Sequence, residues 1–408
     1  MTFCRNIAAS MLAAAIFTGG GASAADLVIA GRDGGYASAL EMAVEAFREA
    51  NPGLEVDRLE LPYSGLLEKV TISMREDAGA YDVIMLDDTW ATGFMSRGWL
   101  ANLDELGDGI DDDFVEAAVD VSRYPVGTGP LYAVPFVGNV EMFAYRSDLM
   151  ERPESWTDVV AAAKRVSEEN EGISGVVFRG IKANPIVTGF LPILWAHGGQ
   201  VVTEDGAAAL NSPEALEALK LYLELKQYAP KGVETYNSSE VRDALMQGTT
   251  AMSIELWPSW APSLDDPELS RVPGKLEVIA APGQTVGPSP MLGSWLLAVP
   301  ADAPNPELGR KFTDFITSAE FQKKLALEIG QPPTRASVYS DADVVAKYRW
   351  YPNQLAALEN ARPRPRIEQW NQVETILGDY LQLALIGELS PEVALEEADA
   401  QIAKALRR

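Results

Sequence analysis

The chain has 408 residues, 33 of them basic and 59 acidic, for a net charge of −26. So acidic a surface repels nucleic acid and anionic lipid, and it points to no partner by itself. With one histidine and one cysteine in the whole chain, a zinc site is not expected, and a hydrolytic triad would have to rely on His197 alone.

Residues 1–24 have the pattern of a cleaved export signal: Arg5 in a short leading region, an apolar run from Ile7 to Phe17, and small residues ending Ala22-Ser23-Ala24, with the cut expected after Ala24. The run is too short to span a bilayer, and no later stretch approaches the ~20 apolar residues that a spanning helix needs. Cys4 precedes the run, so it offers neither a lipid attachment point nor a disulfide partner. The expectation is a soluble protein exported to the periplasm without lipid. The 384 residues that remain (408 − 24) are ample for two lobes at roughly 150 residues per domain.

The mature chain opens with short β-type runs alternating with amphipathic helices. "DLVIAG" at 26–31 predicts a strand. "SALEMAVEAFREANPG" predicts a helix with Ser38 and Glu41 in capping-box spacing, Leu40, Val44 and Phe47 on one face, and a stop at Pro52-Gly53. "LEVDRLEL" and "YDVIML" predict two more strands around a helix in "YSGLLEKVTISMRED". This alternation implies an α/β fold with a parallel sheet and right-handed crossovers. Further on, "GDGIDDDF" at 107–114 lacks the spacing and closing glutamate of a calcium loop and predicts the acidic first turn of a helix. The middle is richer in helix, at 155–170, 212–228 and 238–248, with strands "GVVF" and "TAMSIEL" among them. "PGKLEVIAAPGQTVGPSPMLG" predicts a loop leading into the strand "SWLLAVP", and a helical tail follows.

In an open parallel sheet, ligands lie beyond the carboxyl ends of the strands. Two such ends are "GRDGGY" and "LDDTW", which makes Asp33, Asp87 and Asp88 candidates to accept from vicinal hydroxyls, with Gly34 and Gly35 allowing close backbone approach. The competing role for each aspartate is to cap the following helix. His197, in "LWAHGGQ", is read as a structural turn residue. Nine tryptophans are the second signal, because sugars lay apolar C–H faces on aromatic rings while their hydroxyls need polar partners. Trp90, Trp257, Trp260, Trp295 and Trp370 fall beside loop residues and are candidates, whereas Trp156 is expected to pack. Trp260, beyond the turn set by Pro258, either lines the far end of the cleft or packs beneath the loop.

Several segments taken together resemble family 1 of the extracellular solute-binding proteins, the carbohydrate-binding subunits of bacterial ABC importers that include maltose-, trehalose- and glycerol-phosphate-binding members. They are "AVEAFREANPGLEV", "YDVIMLDDTW", "LYAVPFVGNVEMFAYRSDLM" with "PESWTDVVAAA", "ALMQGTTAMSIELWPSW", "LGSWLLAVPADAPNPELGRKFTDFITSAEFQ" and "ARPRPRIEQWNQVETIL", in family order over essentially the whole mature chain. The resemblance implies a type II-like periplasmic binding fold of two lobes, 25–136 with 296–345 and 137–295 with 346–408. The lobes are joined by crossings near Val134 to Gly138 and Gly293 to Leu297, and they close on the ligand by hinge bending.

Carried over residue by residue, the resemblance places ligand contacts at Asp33, Gly34, Tyr63, Ser64, Asp87, Asp88, Asn139, Trp257, Gly293, Ser294 and Trp295. It also places them in "PPTR" and "RPRP", which hold Arg335 and Arg364. Where many relatives have glycine two places before the tryptophan, this chain has Glu255, which leaves the following loop's orientation open. Arg335 and Arg364 either hydrogen-bond a neutral sugar or meet a phosphate, sulfonate or uronate; the competing role for these arginines, and at least equally for Arg366, is to pair with the protein's own carboxylates. The implied function is non-catalytic capture of a carbohydrate, with no cofactor or metal, by a monomer that delivers it to a membrane permease. Capture of an anionic sugar, an exported carbohydrate-active enzyme and a ligand-free scaffold are the alternatives.

Overall fold

The computed structural model describes residues 25–407, and the export signal expected at 1–24 lies outside them. β1 (Leu27–Arg32), β2 (Val56–Leu61) and β3 (Val83–Asp87) run parallel. β4 (Ala133–Val137) and β8 (Trp295–Ala298) complete the first sheet in the order β2-β1-β3-β8-β4, with β8 antiparallel to both neighbours. The βαβα start therefore gives the parallel half expected of it. β5 (Met142–Arg146) lies between β6 (Met252–Leu256) and β7 (Leu276–Ala280) in a second, wholly antiparallel sheet.

One apolar core covers the first sheet and reaches Met142, Leu256 and Val278 of the second, and another covers the second sheet from Phe143, Ile254 and Ile279. Over the first, the helix Gly35–Ala50 buries Leu40, Val44 and Phe47, and Phe47 meets Phe312 edge-on at 5.3 Å. Over the second, Trp156, Phe178, Phe190, Tyr222 and Trp370 are fully buried. The helix Asn184–Ala196 packs there; its continuous apolar run and Pro192 hide the helical period from the sequence. Trp90 and Trp370, candidates for a sugar wall, are instead core residues. Among the described residues no helix is long and apolar enough to cross a membrane.

Several local expectations change. The first helix begins at Gly35, not at Ser38: Gly34 takes φ 69° and turns the chain three residues early, and no capping box forms. "GVVF" makes one isolated bridge to β6, from Val177 to Ser253, while "LEVIA", expected in a loop, is β7. Asp111 and Asp113 precede the helix Glu116–Asp120 instead of starting it.

The chain passes between the sheets along segments that lie side by side. Gly293 N–H donates to the Asn139 carbonyl at 3.0 Å, Glu141 N–H to Met291 at 2.8 Å, and Leu292 N–H to Arg362 at 2.9 Å. Gly138 has no room for a side chain, since a Cβ there would sit 1.9 Å from the Pro333 carbonyl oxygen.

Candidate ligand-binding site

A cavity of about 610 Å³ opens between the two sheets. One wall comes from the carboxyl ends of β1 and β3, which place Arg32, Asp33 and Asp87, together with Tyr36 and Tyr63 on the first turns of the helices Gly35–Ala50 and Tyr63–Glu76. Trp295, at the start of β8, sits 5.4 Å from Tyr36 and 5.9 Å from Tyr63, so three rings meet there. The opposite wall holds Trp257, immediately after β6, and Trp260 in the short 3-10 turn Pro258–Trp260. Both indoles are half-buried.

Of the residues the sequence nominated, Asp33, Gly34, Tyr63, Asp87, Asn139, Trp257, Trp260, Trp295 and Arg364 line this cavity. Trp260 therefore falls on the cleft side of its two readings. Gly293 and Ser294 lie behind the wall. A Cβ at Gly293 would come within 2.5 Å of the Trp257 ring, so the glycine is what lets that indole lie flat against the crossing segment.

Besides Gly293 and Ser294, three further nominations do not line the cavity. Ser64 is exposed and lines a separate groove with Leu67, Thr71 and Trp90, because it follows Tyr63 round the helix and points to the other side. Arg335 lies outside the cavity. Its guanidinium stacks 3.9 Å from the Phe114 ring centroid and donates to Asp111 at 2.7 Å, Asp113 at 3.3 Å and the Thr317 carbonyl at 2.6 Å, so the acidic "GDGIDDDF" segment takes it. Asp88 has no exposed surface and turns inward to two arginines.

Those arginines form a charge cluster behind the cavity. Arg364 Nη2 donates to Asp87 Oδ1 at 2.9 Å and to Asp88 Oδ1, and its Nη1 lies 3.7 Å from Glu374. Arg366 donates to Asp88 Oδ2 at 2.9 Å, and Asn184 donates to Glu374 at 2.9 Å. Arg366 thus pairs with the protein's own carboxylate, one of the two roles open to it from the sequence, and so does Arg364. Asp87 Oδ1 also accepts from the Thr89 amide at 3.0 Å and the Thr89 hydroxyl at 2.8 Å, so Asp87 caps its helix and lines the cavity at once.

Three carboxyls against two guanidiniums leave one surplus negative charge in a buried place. Burial raises Asp87, but Arg364 and the Thr89 donors outweigh it and hold the carboxyl below its ordinary value. Burial dominates at Asp88, pushing it up to about 6 against the pull of both arginines, and it also raises Glu374. A carboxyl raised in the folded state binds more protons there than in the unfolded chain, so its contribution is fullest at low pH and declines between about 4 and 6. The melting temperature of the native protein is expected to fall over that window relative to Asp88→Asn. Parallel melting curves for the two proteins would refute the assignment.

Arg32, Tyr36, Arg179, Asn184, Thr188, Arg242 and Gln331 also line the cavity and were not nominated. Arg32 and Tyr36 belong to "GRDGGY" and Arg179 follows "GVVF", so the strand-end rule would have reached all three had it been applied beyond aspartate and glycine. Asn184, Thr188 and Gln331 carry no comparable signal. His197 closes the helix Asn184–Ala196, with Nδ1 2.8 Å from the Ile193 carbonyl oxygen.

The arrangement has relatives. The chain is 28% identical, over 80% of each sequence, to a Deinococcus radiodurans protein named "Probable ABC transporter-binding protein". A solute-binding protein from Agrobacterium radiobacter K84 solved in complex with ribitol superposes with a TM-score of 0.84 at 27% identity, covering 93% of this chain and 98% of that one. Maltose-bound MalE3 of T. maritima does so with a TM-score of 0.83 at 27% identity, covering 92% and 98%. The fold is that of the two-lobed binding proteins, with the cleft between the lobes. The model of the bacterial extracellular solute-binding proteins matches residues 31–323, and with the cleft, its aromatic walls and the crossing segments in place, the chain belongs to that family.

Proposed function

We propose that this protein binds a neutral sugar or polyol in the cleft and delivers it to the membrane permease of an ABC importer, without altering it. The observation that carries the choice of a neutral ligand is charge compensation. Arg364 is met by Asp87 and Asp88, Arg179 by Glu255 at 2.7 Å, and Arg32 by Asp33 at 2.5 Å, so these guanidiniums act as directed donors with little net charge left for an anion. The aromatic faces of Trp257, Trp260 and Trp295 suit the C–H faces of such a ligand. The ribitol and maltose complexes of the similar proteins support the same class.

In this reading Asp33, Asp87 and Asn139 serve the hydroxyls. The lobes, built as 25–136 with 296–345 and 137–295 with 346–408, close around the ligand. The protein acts as a monomer in the periplasm after loss of residues 1–24. One feature favours an anionic sugar instead: among the described residues Arg242, at the cavity, has only an exposed contact to Asp243 at 3.8 Å.

A thermal-shift screen of neutral mono- and disaccharides, polyols and anionic sugars decides between them. Stabilisation by neutral ligands, about 2.7 kcal/mol at a hundredfold excess over Kd, is expected, with the sugar recovered unchanged. Stabilisation confined to phosphorylated or acidic sugars would select the anionic class, and recovery of a cleaved product would establish an enzyme.

A further inference from the structure

Beneath the Trp257 and Trp260 rings lies a buried ion pair. Arg179 is 4% exposed and Glu255, on β6, not at all. Glu255 Oε1 accepts the Arg179 backbone N–H at 2.5 Å, while Oε2 accepts Nε at 2.8 Å and faces Nη2 at 2.7 Å. Nη2 also donates to the Thr188 hydroxyl at 2.5 Å. The guanidinium carbon stands 5.7 Å from the Trp257 ring centroid and 5.9 Å from that of Trp260, within cation–π range of both. Gly189 leaves room for the carboxylate, since a Cβ there would lie 3.3 Å from Glu255 Oε1.

These contacts commit Nε and Nη2 and leave Nη1 without a partner among the described residues, while Arg179 and Thr188 both line the cavity. A second carboxyl lies nearby. Glu141, on the crossing segment and 1% exposed, has two oxygens that meet no donor among the described residues. Burial, reinforced by the Glu255 charge, raises it well above its ordinary value against the pull of Arg179. Arg179 and Glu255 thus form a closed pair of zero net charge, oriented as a hydrogen-bond donor and not as a free cation.

We propose that Arg179 is a ligand-recognition residue whose Nη1 donates to a hydroxyl or ring oxygen of a carbohydrate lying on Trp257, with Glu255 and Thr188 as its positioning residues. The assignment rests on the reading of the cleft as a carbohydrate site. It also accounts for a carboxylate at position 255, which takes Nε and Nη2 of the guanidinium and offsets its charge. A neutral polyol then gains a directed, charge-assisted hydrogen bond that asks for no anion in return.

The test uses Arg179→Lys, which keeps a cation opposite Glu255 but has no second terminal nitrogen. Titration calorimetry with ribitol, D-mannitol and maltose should show about a tenfold loss of affinity for whichever the native protein binds, with the melting temperature of the unliganded protein held within a few degrees. Thr188→Val, which spares the ion pair, should lose about threefold. Should the lysine variant fail to fold, the double replacement Arg179→Met with Glu255→Leu removes both charges at similar volume and should fold yet bind at least tenfold more weakly. Native affinity in any folded Arg179 variant overturns this assignment alone. A native protein that binds no carbohydrate overturns it together with the reading beneath it.

Discussion

Replacing Trp257 by alanine is expected to weaken ligand binding by about thirtyfold, roughly 2 kcal/mol, while the protein still folds. The indole is half-buried, follows β6 directly, and offers the cavity a flat face backed by Gly293. A fully buried tryptophan would cost ~3–5 kcal/mol on truncation. With one face open to the cleft, Trp257 should cost the unliganded protein clearly less, and the lost stacking surface should appear mainly in affinity. Calorimetric titration of the best ligand from the screen, with a melting curve of the free variant, separates the two effects. A large fall in melting temperature with affinity intact would make Trp257 a core residue and leave the cleft without that aromatic wall.

The largest effect on stability is expected from Arg364→Ala. Arg364 is 3% exposed and holds Asp87, Asp88 and Glu374 together at the back of the cleft. Truncation leaves three buried carboxyls with Arg366 alone, a loss on the order of 3–5 kcal/mol because the uncompensated charge stays in place. For a protein of this size that corresponds to a drop of about 5 °C in melting temperature at pH 7. The deficit should shrink on acidification. Without Arg364 the carboxyls titrate higher still, so the folded variant takes up protons that the unfolded chain does not and regains stability as the pH falls below about 6. Melting curves of both proteins at pH 5 and pH 7 test this, and an equal deficit at the two values would mean that the cluster is not the source.

Legibility in the sequence differs from element to element. β1, β2 and β3 and the helices between them were legible because each is a single run with its own period and its own breaker. β7 was not legible, because "LEVIA" sits among prolines and glycines that read as loop, and only pairing with β5 makes it a strand. The ends of β1 and β3 pointed to Asp33 and Asp87 by a rule about sheets, and the cavity lies there. The same rule could not tell Asp87 from Asp88, because both stand at the end of β3 and both carboxylates reach Arg364, and only the packed neighbours leave Asp87 at the cavity and Asp88 beneath it.

The sequence by itself carried the βαβ alternation, the resemblance to the family and the short list of aromatic and acidic candidates, since these follow from short segments and their order along the chain. The tertiary structure alone decided which candidates face the cleft. Arg335 and Arg364 occupy similar Pro-Arg contexts, yet one is taken by Asp111 and Asp113 on the first lobe and the other lies at the cavity between Asp87 and Glu374. Burial, and the pairing of a charge with partners more than two hundred residues away, arise only when distant segments meet, and no local pattern records them.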